Sequence, residues 1–326
     1  MKRKVGTSNL EITPVTLGTW AIGGWMWGGT EEKTSIDAIR ASIDNGITSI
    51  DTAPMYGFGL SEEIVGKAIQ GYDRSSLQIL TKFGLRWDTD KGAHKMNDTD
   101  RNGNRVSIML YGGYDSIIDE VEKSLQRLQT DYIDLIQMHW PDPTTPIEES
   151  MRAMDKLLQD GKVRAIGVCN YSGEQLEEAE RAVRLHSNQV PYSMLKQEIE
   201  KDVVPYALVH QLGVIAYSPL ERGLLTGKYN EKSVFPKNDH RANYFKQFDL
   251  AKVDTLLRSL NEFADKYACS IAQLVIAWTI AQPGITAALA GARDAKQALE
   301  NAKAMNITLH EADLSQINYW VNEYAG

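Results

Sequence analysis

Short β-rich apolar runs alternate along this chain with longer segments in which apolar residues recur every three or four positions. The runs fall at 13–20, 47–53, 77–83, 132–140, 163–170, 188–193, 213–219 and 285–292. Helical spacing lies between and beside them at 31–45, 60–70, 116–129, 147–161, 172–184, 202–213 and 253–267, each segment opening after turn chemistry. Strict β-then-α alternation with near-continuously apolar strands predicts a parallel sheet buried on both faces. Eight such units follow one another without a Pro/Gly/Ser-rich linker or a break in composition. They predict an α/β fold of the closed (β/α)8 TIM-barrel type, one domain over 1–326 with a C-terminal helical tail, ahead of an open doubly wound sheet. Two connections are long, 86–113 after the third strand and 229–249 after the seventh. In compact folds such segments are usually lids or disordered stretches, and here both would hang over the same rim.

Length alone would suggest about two average domains, but α/β barrels spend roughly 250 residues on one core, so the 326 residues fit the single barrel. A net charge of −8 argues against a nucleic-acid partner. Two cysteines, Cys169 and Cys269, make no disulfide framework, and Cys169 reads as an inert buried thiol. The start of the chain does not read as a targeting leader, and no apolar stretch reaches the ~18–20 residues that span a membrane. A reducing, cytoplasmic location is expected; the oligomeric state is not legible.

In a barrel of this kind chemistry sits at the carboxyl ends of the strands, so a polar residue that terminates an apolar run is informative. Asp51, Lys82 and His139 terminate the second, third and fourth runs, and Tyr56 follows Asp51 in a glycine-rich turn. A tyrosine hydroxyl is a weak acid, and a neighbouring ammonium favours its phenolate. Lys82 could supply that cation, Asp51 could hold the lysine charged, and His139 could hydrogen-bond a substrate carbonyl. Separately each residue has a plain structural reading, a rim ion pair for Asp51 and Lys82 or a loop aromatic for Tyr56. Together on adjacent strand ends they read as a proton-donating site.

"SIDTAPMYGFGLSEEIVGKAI", "ILTKF" and "DYIDLIQMHWPDP" resemble the signature segments of the aldo-keto reductases in order and spacing, over nearly the whole chain. The resemblance implies a catalytic tetrad of Asp51, Tyr56, Lys82 and His139 with Tyr56 as proton donor. It also implies an extended nicotinamide cofactor bound without a Rossmann fold. "GFGLSE" and "GGWMWGG" both miss the dinucleotide fingerprint, P-loop and HExxH patterns are absent, and no metal site is expected.

By the same resemblance Asn170 and Gln189 hold the nicotinamide carboxamide and Tyr217 stacks on its ring. Ser218, Leu220, Gly223 and Lys228, in "SPLERGLLTGK", hold the pyrophosphate. Gly291, Arg293, Gln297 and Asn301 surround the adenosine 2′-phosphate and adenine, while Thr19 and Trp20 face the cofactor from the first strand. A guanidinium at a helix start suits a phosphate, so Arg293 favours NADPH (NADP+), with NADH at lower affinity.

The expected substrate is a small-molecule carbonyl, or the alcohol in reverse. Trp25, Trp27, Trp87 and Trp140 near the rim suit a sugar-like or polyol compound as well as they suit plain cover for the barrel edge. The alternative role is a cofactor-binding regulatory subunit of low turnover, as in the potassium-channel β subunits that resemble this family. A non-redox barrel such as an isomerase fits the cofactor-shaped residues less well.

Overall fold

The computed structural model describes residues 2–230, 232–235 and 239–325. Eight parallel strands close into one barrel. They are β1 Val15–Gly18, β2 Ser49–Asp51, β3 Gln78–Phe83, β4 Leu135–Met138, β5 Ile166–Cys169, β6 Ser187–Pro191, β7 Gly213–Tyr217 and β8 Ile285–Gly291. All eight predicted apolar runs supply a barrel strand. The helices are α1 Glu32–Asp44, α2 Leu60–Ala68, α3 Tyr114–Leu128, α4 Ile147–Gln159, α5 Gly173–Glu180 and α6 Val203–His210. There follow α7 Leu250–Lys266, α8 Ile271–Ala281, α9 Ala295–Lys303 and α10 Glu311–Ala325, the last packed on α7.

Two apolar layers result. Inside the barrel Leu80, Leu135, Ala165, Ile215, Ala287 and Leu289 meet Val5, Leu10 and Ile12 of an N-terminal hairpin (Arg3–Lys4 with Glu11–Ile12). That hairpin covers the amino end, and the carboxyl ends of the strands lead into the loops that carry the site. Outside, helix faces such as Ile117, Val121, Leu125 and Leu128 of α3 pack on the strands. Each such side chain, fully buried, contributes about 1.5–3 kcal/mol.

Two departures from the sequence reading matter for the site. Residues 86–113 are not a structureless loop. Ala93–Thr99 and Arg105–Leu110 form an antiparallel hairpin, and Leu85–Arg86 joins it as a third strand. Its partly buried residues Met96, Val106 and Leu110 pack with Met55, Phe58, Leu85 and Ile108, so the hairpin is fastened to the rim by apolar contact. The second long connection, 229–249, falls partly on residues outside those described; its described part holds short helical turns over Arg241–Tyr244 and Phe245–Gln247. The sequence reading also passed over α8, which is apolar all round and lies buried, with Trp278 fully covered. A helix of that kind has no polar face to produce a period.

Candidate functional site

The parallel register sets the open end. Asp51 pairs with Gly18 on one side and Leu80 on the other, and Lys82 pairs with Gln137, so β1 to β4 end at one level. Beyond Asp51 the chain makes a tight turn in which Gly57 and Gly59 take φ of 72° and 95°, a region favouring glycine. A Cβ on Gly57 would also stand 2.3 Å from the Gly23 carbonyl oxygen. This turn brings Tyr56 back over β3.

At the centre, Lys82 Nζ donates to Asp51 Oδ1 at 2.5 Å, to the Thr52 carbonyl at 2.9 Å and to Tyr56 Oη at 3.3 Å. Asp51 and Lys82 are each 1% exposed. Burial alone would drive the lysine towards its neutral form, but the charges of Asp51 and the surrounding groups outweigh it and hold the ammonium. Asp51 Oδ2 accepts from Gln189 Nε2 at 2.8 Å and Gln137 Nε2 at 3.4 Å, so the carboxylate is held from below by two amides. Removing one member of such a buried pair costs about 3–5 kcal/mol.

The half-buried Tyr56 ring meets His139 edge-on at 5.8 Å between centroids. Burial pushes the Tyr56 phenol up to about 12, and Lys82 pulls it down only in part. The lysine does act in the expected direction, but desolvation is the larger effect and leaves the phenol above its ordinary value. His139 is held well below the usual imidazole range, first by burial and then by the charges of Lys82 and Lys95. The site offers a protonated phenol, a neutral imidazole and a fixed ammonium at one mouth.

The remaining sequence candidates separate into groups. Asn170, directly after β5 with a φ of 62°, donates from Nδ2 to the His139 carbonyl at 3.1 Å and accepts the Tyr217 hydroxyl at 2.9 Å. Gln189 lies third in β6, 2% exposed beneath Asp51. Thr19 bonds the Asp51 carbonyl at 2.9 Å. After β7, Ser218 has a φ of 58°, and the next left-handed run is Glu221, Arg222 and Gly223 at 45°, 55° and 98°. Successive left-handed residues are strained, and this turn is closed by the Glu221 N–H on the Ser218 carbonyl and the Gly223 N–H on the Leu220 carbonyl, each at 2.9 Å. Leu220 opens this turn, and Lys228 is exposed beyond it. After β8, exposed Gly291 and Arg293 precede the Asp294 cap of α9. Gln297 bonds that cap, Asn301 donates to the Gly291 carbonyl, and Arg293 Nη2 reaches the Trp27 carbonyl at 3.5 Å.

The four rim tryptophans are not one wall. Trp25, Trp87 and Trp140 pack with the hairpin cluster. Trp27 instead meets the His240 ring at 4.7 Å, beside Trp20, which stacks on His240 at 5.2 Å. Arg222 lies 5.2 Å over Trp20 and 3.5 Å over Tyr244. Arg222, His240 and Gln137 were missed by the sequence reading. Arg222 stands inside a quoted segment, but its left-handed backbone leaves no mark in composition, and His240 follows a stretch without a period.

Trp20 Nε1, Trp27 Nε1, Arg222 Nε and His240 Nε2 are buried and have no hydrogen-bond partner among the described residues. Unpaired buried polar groups are costly. His240 Nδ1 donates to the Met26 carbonyl at 2.6 Å and burial lowers the pKa of the ring, so Nε2 is an acceptor beside three N–H donors. The set fits a polar ligand with several acceptors and a donor, such as a nicotinamide dinucleotide. Among the described residues no group of three or more His, Cys, Asp or Glu could hold a metal ion.

Residues 14–321 match the model of the Aldo/keto reductase family. An aldo-keto reductase of Bacillus subtilis is 44% identical over 96% of this chain and 91% of its own. An NADH-specific methylglyoxal reductase of Escherichia coli is 36% identical over 96% and 95%. A probable voltage-gated potassium channel β subunit of Arabidopsis thaliana is 32% identical over 94% and 91%. Among solved structures, a glycerol dehydrogenase of Gluconobacter oxydans superposes with a TM-score of 0.87 at 37% identity, covering 99% of this chain and 95% of its own. An aldo-keto reductase of Klebsiella pneumoniae in complex with NADPH gives 0.74 at 28% identity, covering 100% and 96%.

Proposed function

This chain belongs to the aldo/keto reductase family and is an oxidoreductase, and from that premise we propose that it reduces an aldehyde or ketone with NADPH, Tyr56 donating the proton. The observation that carries the reading is Tyr56 Oη held 3.3 Å from Lys82 Nζ, with the lysine fixed by Asp51. NADPH, when bound, supplies the hydride. Tyr56 gives its proton to the carbonyl oxygen, and the Lys82 ammonium stabilises the phenolate that remains. Asp51, braced by Gln189 and Gln137, keeps Lys82 charged and aimed. Neutral His139 donates a hydrogen bond that orients the carbonyl.

The cofactor would lie among Trp20, Asn170, Tyr217, the Ser218–Gly223 turn, Arg222 and Arg293. Arg293 has no carboxylate partner among the described residues, which supports a 2′-phosphate there and hence NADPH over NADH. The likeness to a glycerol dehydrogenase supports a polyol or sugar-like carbonyl as substrate. The likeness to a channel β subunit supports a second reading, a cofactor-binding regulatory subunit with little turnover.

Tryptophan fluorescence titrated with NADPH and NADH, followed by absorbance decay with aldehydes, ketones and keto-sugars, tests these readings. Turnover with tighter NADPH binding is expected, and Arg293→Ala should weaken NADPH far more than NADH. Tight binding without turnover across the panel would favour the regulatory reading. Keto-sugars reduced no faster than simple aromatic aldehydes would remove the sugar-like substrate.

A further inference from the structure

The hairpin beyond β3 carries a feature that the tetrad does not use. Along its pairing, His94 faces Met109 while Met96 faces Ile108, so Lys95 is an extra residue, a β-bulge. Bulges break the alternation of a strand, re-aim a side chain and recur beside active sites. Here the exposed Lys95 places its Nζ 3.8 Å from the ring centroid of Trp140, the residue directly after His139. Its charge is felt at His139, and both charges acting on that imidazole, from Lys82 and Lys95, are cationic.

Lys95 has no ion pair or hydrogen-bonded acceptor among the described residues. Asp98, three positions along the same strand, already accepts the Trp25 indole N–H at 2.8 Å and the Thr99 N–H at 2.7 Å. Lys82, the other cation at this mouth, is committed to Asp51. The apolar cluster of Trp25, Trp87, Met96 and Trp140 holds the hairpin on the rim, so the Lys95 ammonium is carried on a fastened element. The mouth thus has a positive point on the hairpin side, apart from Arg222 and Arg293.

Building on the carbonyl-reductase reading above, we propose that the substrate is a carbonyl compound bearing an anionic group, carboxylate or phosphate, and that Lys95 is the specificity residue that binds this anion. The carbonyl sits between Tyr56 and His139. Its charged end extends along Trp140 to Lys95, where an ammonium over an aromatic face meets the anion. The reaction remains a hydride from the nicotinamide and a proton from Tyr56, with the anionic end unchanged.

The test compares matched pairs, 4-carboxybenzaldehyde with benzaldehyde and dihydroxyacetone phosphate with dihydroxyacetone, in wild type, Lys95→Gln and Lys95→Arg. In wild type kcat/KM should favour a charged partner by about tenfold, the worth of one charged hydrogen bond, and added salt should shrink the ratio. Lys95→Gln should bring the ratio close to one, and Lys95→Arg should keep most of it. Preference for the carboxylate alone or the phosphate alone identifies the anion. A wild-type ratio near one in both pairs, with the neutral compounds turned over, overturns the inference and leaves the reductase reading standing. If no carbonyl is turned over, quenching of tryptophan fluorescence in the NADP+-loaded protein by benzoate against benzamide still decides it. Benzoate binding that depends on Lys95 sustains the anion site, and equal or absent binding removes it.

Discussion

As the proposed proton donor, Tyr56 must be protonated and must lose its proton cheaply, and its surroundings set these demands against each other. Burial raises the phenol to about 12, so it stays protonated throughout the neutral range. Lys82, at 3.3 Å, acts mainly on the phenolate that appears as the proton leaves. Tyr56→Phe removes the donor without touching the lysine–aspartate pair. Carbonyl reduction should fall about 10²–10⁴-fold, with NADPH affinity by fluorescence within a few-fold; a variant that kept most of its activity would remove Tyr56 from the role. In wild type the reduction rate should be level from neutral to mildly alkaline pH and decline only as pH nears about 12. Alcohol oxidation, which needs the phenolate, should rise with pH over the same range. A reduction rate halved near pH 7 would assign the proton to another group.

At the scale of elements, one buried carboxyl adds to the apolar contacts that hold the hairpin on the barrel. Glu120 of α3 accepts from the Gly84 N–H at 3.0 and 3.2 Å, where β3 leaves the barrel for the hairpin, and from Ser116 at 3.4 Å. Burial raises it from the ordinary 4.5 to about 8, against the pull of Arg86 and the Gly84 N–H, with Asp88 pushing the same way as burial. The folded state therefore keeps a proton that the unfolded chain has released above about 4.5. The stability this gives is fully present at low pH and is lost as pH rises towards 8, at about 1.4 kcal/mol for each unit by which the two pKa values differ. Glu120→Gln keeps the acceptor for Gly84 and cannot ionise, so it should flatten the decline in melting temperature between pH 5 and 8. An unchanged slope would mean that Glu120 ionises as readily folded as unfolded. None of this was visible in the sequence. The eight strands were legible because burial on both faces makes them continuously apolar, and the strand-end polar residues stood out against that background. The hairpin reads as a polar loop because most residues of Ala93–Thr99 face solvent, and a bulge at Lys95 breaks the alternation that would have marked it. Arg222 and Gln137 escaped notice for another reason: their positions depend on a left-handed turn and on barrel closure, which no local pattern records.

Over the whole molecule, the proposed cofactor site joins segments that are far apart in the chain. Trp20 and Trp27 follow β1, Asn170 follows β5, Arg222 follows β7, His240 belongs to the connection before α7, and Arg293 follows β8. They meet because the barrel closes by pairing β8 with β1, and the unpaired buried atoms of Trp20, Trp27, Arg222 and His240 mark a place where stability is given up for binding. A ligand that pairs these groups binds only the closed barrel, so its binding energy adds to the stability of the entire fold. At a hundredfold excess over its Kd, NADPH should stabilise by about 2.7 kcal/mol and raise the melting temperature on the order of 5 °C. NADH at the same concentration should raise it less, and Arg293→Ala should bring the two shifts together, since the 2′-phosphate is what distinguishes them. Equal shifts in wild type would show that the 2′-phosphate finds no partner here, and Arg293 would then be a surface charge at the start of α9.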